Sequence, residues 1–543
     1  MNAEKIFING NIYTMNDDQF HAEALATAGQ MILAVGSNAE VQALAGEDTE
    51  VIDLEGKTVI PGLIECHVHT MTAANTFDTE SLVSCFDKTK EEIIEAVGEM
   101  AKKRKPGEWI QGLGWNQAGW VDTTMPTRQE LDAVSPGNPV LLLRVCGHAF
   151  WTNSLALELA GIDRDTVVPV GSEVLKDENG EPTGYLTEQA GAAVTLCVPP
   201  DSDEVMARKF LLVQDHLLAN GITSYSDKNL GSTNITPRQL AKEMLDVLDH
   251  LYAEGKMKVR LNVFVQPGEV LDKMYERGPL IGLHGGRLTH RGVKMFSDGA
   301  LGARSAWLLE EYSDRPGHTG SGRLTDEFLQ TEMKKAHDAG FQVSLHAIGD
   351  AAVKQAIDAH EIVNPDHKDY RFLIEHFMIA REEDFERLKG NTIIPSMQYV
   401  ELSSDLNMVE DRIGKERSMG AYAWRKVLNT GAKIAAGTDF PMDVVNPFEN
   451  MYYGVSRCTI KEEPQGGWHP WEALTRYEVL KSYTVDAAYA RFEEDMLGAL
   501  KKGMYADFTV IDRDYMNCAV KEIKDIKALM TVVGGEILYE REI

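Results

Sequence analysis

Apolar positions recur along this chain in two different rhythms. Within residues 1–57, short apolar runs are punctuated by turn signals. Lys5-Ile6-Phe7-Ile8 precedes Asn9-Gly10, Ile12-Tyr13-Thr14-Met15 follows it, and Asn16-Asp17-Asp18 closes the segment. Two short β-type runs around Asn-Gly predict a hairpin. Residues 31–36 and 50–54 continue the strand character, and so do residues 507–512 and 526–539, with Gly534-Gly535 at a turn. Such β-rich ends around a mixed middle predict one small sheet domain built from both termini, 1–57 with 481–543.

From 58 to 480 the rhythm changes to short apolar strands alternating with amphipathic helices. Strands are predicted over 58–64, 221–225, 259–265, 292–296, 342–346, 371–376, 392–397 and 433–437, with helical stretches such as 381–388 between them. A β-then-α unit repeated about eight times predicts an α/β fold whose parallel sheet closes into a (β/α)8, TIM-like barrel. The span 75–210 does not fit as one barrel connection. It holds Gly112-Leu113-Gly114-Trp115 and the apolar run 140–145, and predicts a large folded insertion after the first strand.

Composition narrows the partners. At 543 residues the chain exceeds one average domain. Its 43% apolar and 25% charged residues are ordinary for a globular protein. A formal net charge of −30 disfavours a phosphate-binding surface, so no nucleic acid is expected and a small-molecule substrate is. No apolar stretch approaches the roughly 18–20 residues of a membrane span, and the start does not read as a signal peptide. A cytoplasmic location without a membrane partner is the expectation. Six scattered cysteines form neither a zinc ribbon nor a disulfide framework.

Candidate chemistry gathers at strand ends. His67-Val68-His69 follows the apolar run 59–64; alternation along a strand puts both imidazoles on one face, with Cys66 on the other and excluded as a ligand. Paired imidazoles at a strand's C-terminal end suit a divalent metal such as zinc, although one such pair among 15 histidines also arises by chance. Three further residues occupy the same kind of position. His346 and His376 end the predicted strands 342–346 and 371–376, and Asp439 follows 433–437. That is the face where barrel enzymes place their sites. Any one such histidine serves equally as a helix cap or a core residue; the set together points to a metal site. Lys294, on the strand 292–296, has donors only and cannot ligate a cation unless it captures carbon dioxide as a carbamate. Position alone favours an ion-paired or solvent-facing lysine there.

These motifs resemble the metal-dependent amidohydrolase superfamily, in the branch of N-substituted formamide deformylases and their relatives. The matching segments are Pro61-Gly62-Leu63-Ile64-Glu65-Cys66-His67-Val68-His69, Gly112-Leu113-Gly114-Trp115-Asn116, and Gly147-His148-Ala149-Phe150-Trp151-Thr152-Asn153. Others are Val293-Lys294-Met295-Phe296-Ser297-Asp298-Gly299, His346-Ala347-Ile348-Gly349-Asp350, Ile374-Glu375-His376 and Gly437-Thr438-Asp439-Phe440-Pro441, with Gly503-Met504-Tyr505-Ala506-Asp507-Phe508 near the end. The likeness covers essentially the whole chain. Two positions depart from the pattern: Glu65 stands where Asp is usual, and Tyr399 where Met-Gln-Pro is usual. The first is expected to alter support of the metal site, the second to alter the pocket wall.

The resemblance implies a barrel with a β-sandwich made by both termini, and hydrolysis of a small non-peptide carbon–nitrogen bond by a metal-activated hydroxide. His67, His69, His346, His376 and Asp439 would be the metal residues, with Lys294 as a carbamate bridging two zinc ions; manganese or iron remains an alternative metal. Asp439 would also act as general base and then general acid. His148 and Arg304 would orient a polar or anionic group, and Trp115, with Trp120 and Trp151, would wall the pocket. Trp more often belongs to a core, and Arg304 has Asp298 as a ready ion-pair partner. A homodimer is the superfamily-based expectation. Two alternatives stand. A deaminase on the same fold is disfavoured because His346-Ala347-Ile348-Gly349 lacks the His-x-x-Glu of such enzymes. A non-catalytic binding protein is disfavoured because no ligand is missing.

Overall fold

The apolar run 58–68 is one stretch in sequence and two strands in space. Thr58–Pro61 pairs with the C-terminal strand Phe508–Ile511, whereas Leu63–Val68 pairs with Ile222–Asp227. The switch occurs between consecutive residues: the N–H of Gly62 donates to Asp507 O, and that of Leu63 to Gly221 O. A side chain at Gly62 would collide with Thr223, its Cβ falling 2.2 Å from Oγ1. The predicted strand 58–64 therefore divides at this glycine between the barrel and the terminal domain.

The computed structural model describes residues 2–117, 120–144, 149–167, 172–231 and 241–542. Eight parallel strands run in chain order: β1 (Leu63–Val68), β2 (Ile222–Asp227), β3 (Arg260–Val265), β4 (Leu288–Phe296), β5 (Gln342–Ala347), β6 (Phe372–His376), β7 (Ile393–Met397) and β8 (Ala435–Ala436). Closure comes just beyond β8, where Phe440 bridges Val68 in parallel and accepts the His69 N–H at 2.9 Å. The result is the expected (β/α)8 fold. Every residue of β1, β2, β3, β6 and β7 is buried, as expected of parallel strands covered on both faces. On the helix side, Ile64, Cys66, Phe264, Leu373 and Ile394 pack with Ala487 and Ala488. Helices cover the strands where local signals start them. Thr325 Oγ1 accepts the Phe328 N–H ahead of Asp326–Asp338, and Asp350–Val363 buries an Ala/Val/Ile face.

Two sheets at the chain ends enclose a second core. One runs Met31–Gly36, Ala24–Ala28, Lys5–Ile8, Glu50–Asp53; the other runs Glu536–Glu540, Ala528–Val533, Phe508–Ile511, Thr58–Pro61, Asn11–Tyr13, His21–Ala22. Between them lie Phe7, Leu25 and Ile32 from the first, and Ile12, Val59, Phe508 and Val532 from the second, with the Phe7 and Phe508 rings edge to face at 4.9 Å. The predicted hairpin around Asn9-Gly10 does not form. Lys5–Ile8 and Asn11–Tyr13 belong to opposite sheets, because Phe7 and Ile12 enter the same core from its two sides. Asn9, at φ 56°, turns the chain across the layers instead of back along one.

Residues 71–212 and 231–248 form a separate unit. Its six-stranded sheet runs Val174–Lys176, Pro182–Thr187, Ala149–Thr152, Val140–Arg144, Ile110–Trp115, Leu82–Ser84. Trp115, Trp120 and Trp151 sit together in its core with Ile93, Val97 and Leu131. Among the described residues, no helix is long and apolar enough to cross a membrane.

Candidate metal centre

Glu65 and His67 on β1, and His69 just past its end, follow one another at alternate positions, so all three face the barrel interior. Glu65 Oε1 accepts the N–H of His67 at 3.1 Å and that of Thr438 at 2.8 Å, tying β1 to the segment that carries Asp439. Gly437 makes this approach possible, since a Cβ there would lie 2.6 Å from Glu65 Oε1 and 2.7 Å from the His67 nitrogen. Burial pushes the Glu65 carboxyl up to about 8.

The strand ends bring the predicted ligands together. Asp439 Oδ1 lies 3.1 Å from His69 Nε2 and 3.3 Å from His67 Nε2. Ligand atoms of His67, His376 and Asp439 all fall within 4.8 Å of one another. The His376 ring centroid is 5.3 Å from that of His67 and 4.5 Å from that of His346. His346 turns Nε2 toward Asp298 Oδ1 at 3.3 Å, and Asp298 is itself held by the N–H groups of Trp307, Ile348 and Gly349. Lys294 is 0% exposed and lines the same cavity.

The chemistry of this cluster fits a cation. His67 Nε2, Lys294 Nζ and Asp439 Oδ1, from β1, β4 and the end of β8, are buried without a hydrogen-bond partner among the described residues. Buried polar atoms are otherwise almost always satisfied. Burial lowers the His67 imidazole to about 3 and His346 to about 4, so both are neutral and ligand-competent near pH 7. Burial opposes ionisation of Asp439, but the neighbouring His67 and His69 outweigh it and hold the carboxyl well below its usual range. Burial also lowers Lys294 to about 8, against the pull of Glu375. Imidazole with carboxylate suits zinc, manganese or iron.

A second layer was not read from the sequence. Glu375 places Oε2 2.7 Å from His67 Nδ1 and Oε1 2.9 Å from Lys228 Nζ, and Ser344 Oγ donates to Oε1 at 2.5 Å. Glu401 Oε1 meets His376 Nδ1 at 2.6 Å. Glu375 had a visible signal, an acid inside the apolar run Phe372-Leu373-Ile374, where a buried charge requires a partner. Lys228 had none.

The cavity above this cluster measures about 410 Å³ and is walled by Phe296, Leu301, Ile348, Met378 and Met442, with Asp405, Asp443 and Glu401. Three sequence expectations for its wall are not met. Trp115 is 0% exposed in the core of its own unit and donates Nε1–H to Leu142 O at 2.9 Å, so it has no face to offer a substrate. Trp120 and Trp151 share that core. Arg304 does not line the cavity, and forms a two-point ion pair with Asp314 at 2.8 and 3.0 Å. Tyr399 is also off the wall, its hydroxyl donating to Ser482 Oγ at 2.9 Å beneath Trp424. His148 lies outside the described residues.

Known proteins resemble this chain over most of its length. The amidohydrolase family matches residues 50–539. Protein LONG AFTER FAR-RED 3 of Arabidopsis thaliana is 33% identical over 99% of this chain and 92% of its own length. The N-substituted formamide deformylase of Arthrobacter pascens is 27% identical over 99% of this chain and 98% of its own. An uncharacterized metal-dependent hydrolase from Pyrococcus furiosus superposes with a TM-score of 0.79 at 29% identity, covering 94% of this chain and 100% of that one.

Proposed function

This chain belongs to the amidohydrolase family, and from that premise we propose that it hydrolyses an amide, an N-formyl or N-acyl amine or a cyclic amide at a divalent-metal centre, zinc being the expected metal. The observation that carries the reading is the convergence of unsatisfied, buried ligand atoms at the C-terminal ends of the barrel strands. His67, His69, His346, His376 and Asp439 would hold the metal, and Lys294, as a carbamate, would add oxygen ligands to the site, enough for a second ion. A bound divalent ion supplies Lewis acidity and lowers the pKa of water toward neutrality.

The chain's own residues do the rest. Asp439, beside His67 and His69, accepts a proton from the attacking water and returns it to the leaving nitrogen. Glu65 holds the Asp439 segment against β1 while this happens. The apolar wall excludes water around the scissile bond. Burial raises the carboxyls of Asp405, Asp443 and Glu401, Asp443 to about 8, and no arginine is among the described lining residues, so the wall favours uncharged substrates over anionic ones.

The test is elemental analysis of protein purified without chelator, followed by turnover assays on N-formyl and N-acyl amines. About two zinc ions per chain and release of a free amine with a carboxylate are expected. Asp439→Asn should keep its metal and lose about 10²–10⁴-fold in turnover. Ammonia released from an amino-substituted ring, with no amide turned over, would replace this reading with a deaminase, and metal-loaded protein inert to every amide class would overturn it.

A further inference from the structure

Two lysines are fully buried near the centre, and only one of them faces the cavity. Lys294 lines it; Lys228, just past β2, does not, and is 0% exposed with Nζ 3.8 Å from the Phe264 ring centroid. Resting on the metal-centre reading above, we infer that Lys228 is a positioning residue for the metal: through Glu375 it fixes the His67 imidazole so that Nε2 is presented as the ligand atom.

The contacts run in one line. Lys228 Nζ lies 2.9 Å from Glu375 Oε1, and Glu375 Oε2 lies 2.7 Å from His67 Nδ1, with all three side chains at most 1% exposed. The backbone joins in, since the Lys228 N–H donates to Val68 O at 2.9 Å, one residue beyond His67. A carboxylate only accepts hydrogen bonds. An unprotonated Nδ1 at 2.7 Å from it would set a lone pair against an anion, so Nδ1 carries the proton. That leaves Nε2, the orphaned nitrogen directed to Asp439, as the bare ligand atom. The Gln398 amide nitrogen also approaches Nδ1, at 3.3 Å, but the carboxylate is nearer and is the stronger partner. The Lys228 and His67 approaches to Glu375 are short yet off the ideal hydrogen-bond direction, so electrostatic attraction rather than directionality ties them.

Lys228 and Ser344 together occupy Oε1 and thereby aim Oε2 at His67. Such pairs are weak contributors to net stability, because two ions must be desolvated to form them. Their value here is orientation, as with other partners that hold a metal-binding histidine by its second nitrogen. Lys228 acts through Glu375 and touches no reacting atom.

Zinc affinity of the metal-free, folded protein tests this, measured by competition with a chromophoric chelator. Circular dichroism and thermal melting report folding for wild type, Lys228→Met, Glu375→Gln and the double variant. Glu375→Gln is expected to weaken zinc binding about 10–100-fold, and Lys228→Met to weaken it as well. The double variant is expected to match Glu375→Gln alone, because both changes break one linkage. A pair that serves folding only behaves otherwise: with both charges removed no buried ion is left unpaired, and zinc affinity returns to wild type. A folded Lys228→Met at wild-type affinity overturns the inference, as does a folded double variant within twofold of wild type; where Lys228→Met does not fold, Glu375→Gln at wild-type affinity overturns it. Wild-type protein that binds no zinc would instead overturn the metal-centre reading itself, and this inference with it.

Discussion

Gly437 and Arg304 show how much a single position decides. Gly437 leaves room for Glu65 to cross from β1 and hold Thr438, so Gly437→Ala forces a methyl group to within 2.6 Å of a carboxylate oxygen and 2.7 Å of a backbone nitrogen. Overpacking of this kind costs about 1–3 kcal/mol. Because the strain falls between β1 and Asp439, zinc content should drop along with the melting temperature, which elemental analysis and calorimetry would register. Arg304 is the opposite case. Its charge is spent on Asp314 away from the cavity wall, so Arg304→Ala should leave kcat/KM within about twofold, surface pairs being worth roughly 0–1 kcal/mol. A tenfold loss would put Arg304 back among the substrate-binding residues. Strand position made His67, His69, His346, His376 and Asp439 legible as one set in the sequence. The pairing of Arg304 with Asp314 was not legible, since it depends on the path of the loop after β4.

At the scale of an element, the helix Asp350–Val363 is packed by a histidine. The His360 ring is 0% exposed and stacks on Phe372 of β6 at 5.4 Å and on Tyr370 at 5.9 Å, while its Nε2 meets Asn391 Oδ1 at 2.9 Å. Burial lowers it to about 4, from the roughly 6.5 it has in an unfolded chain. Between those values the unfolded chain takes up a proton that the folded one refuses, so stability falls as pH falls from 6.5 to 4 and is unaffected above that window. The contribution is on the order of 3 kcal/mol over the whole window. Urea denaturation at pH 7 and pH 5 should show a smaller acid-induced loss for His360→Gln than for wild type; equal losses would remove His360 from the account. Elements were readable where periodicity was regular, and each of the eight predicted barrel strands overlaps an observed one. Reading failed at Asn9-Gly10, where a strong local turn signal was overruled by Phe7 and Ile12 sharing one core across two sheets. It failed again at Trp115, whose place in a tryptophan cluster depends on Leu142 and Trp151, residues remote from it in sequence.

Across the whole molecule, the unsatisfied atoms at the barrel mouth imply that folding and metal binding are linked. A ligand that binds only the folded state adds about 4 kcal/mol when present at a thousand times its dissociation constant. Dialysis against a chelator should therefore lower the melting temperature, and zinc should restore it; a melting temperature indifferent to both would argue against a tight metal site. The same linkage predicts that Asp439→Asn, if it keeps its metal, melts close to wild type despite losing turnover.

Periodicity and strand-end chemistry in the sequence alone determined the barrel, its closing strands and the residues that gather at its mouth. Both are local properties: parallel strands covered on both faces are rich in apolar residues, and a site at strand ends shows polar residues directly after apolar runs. Tertiary structure alone decided which charges meet. Glu375 and Lys228 belong to different βα units, and so do Glu65 and Thr438, so neither spacing nor propensity relates them. Their contacts arise only when the closed barrel removes water from between them, which is also what leaves His67, Lys294 and Asp439 with unsatisfied atoms.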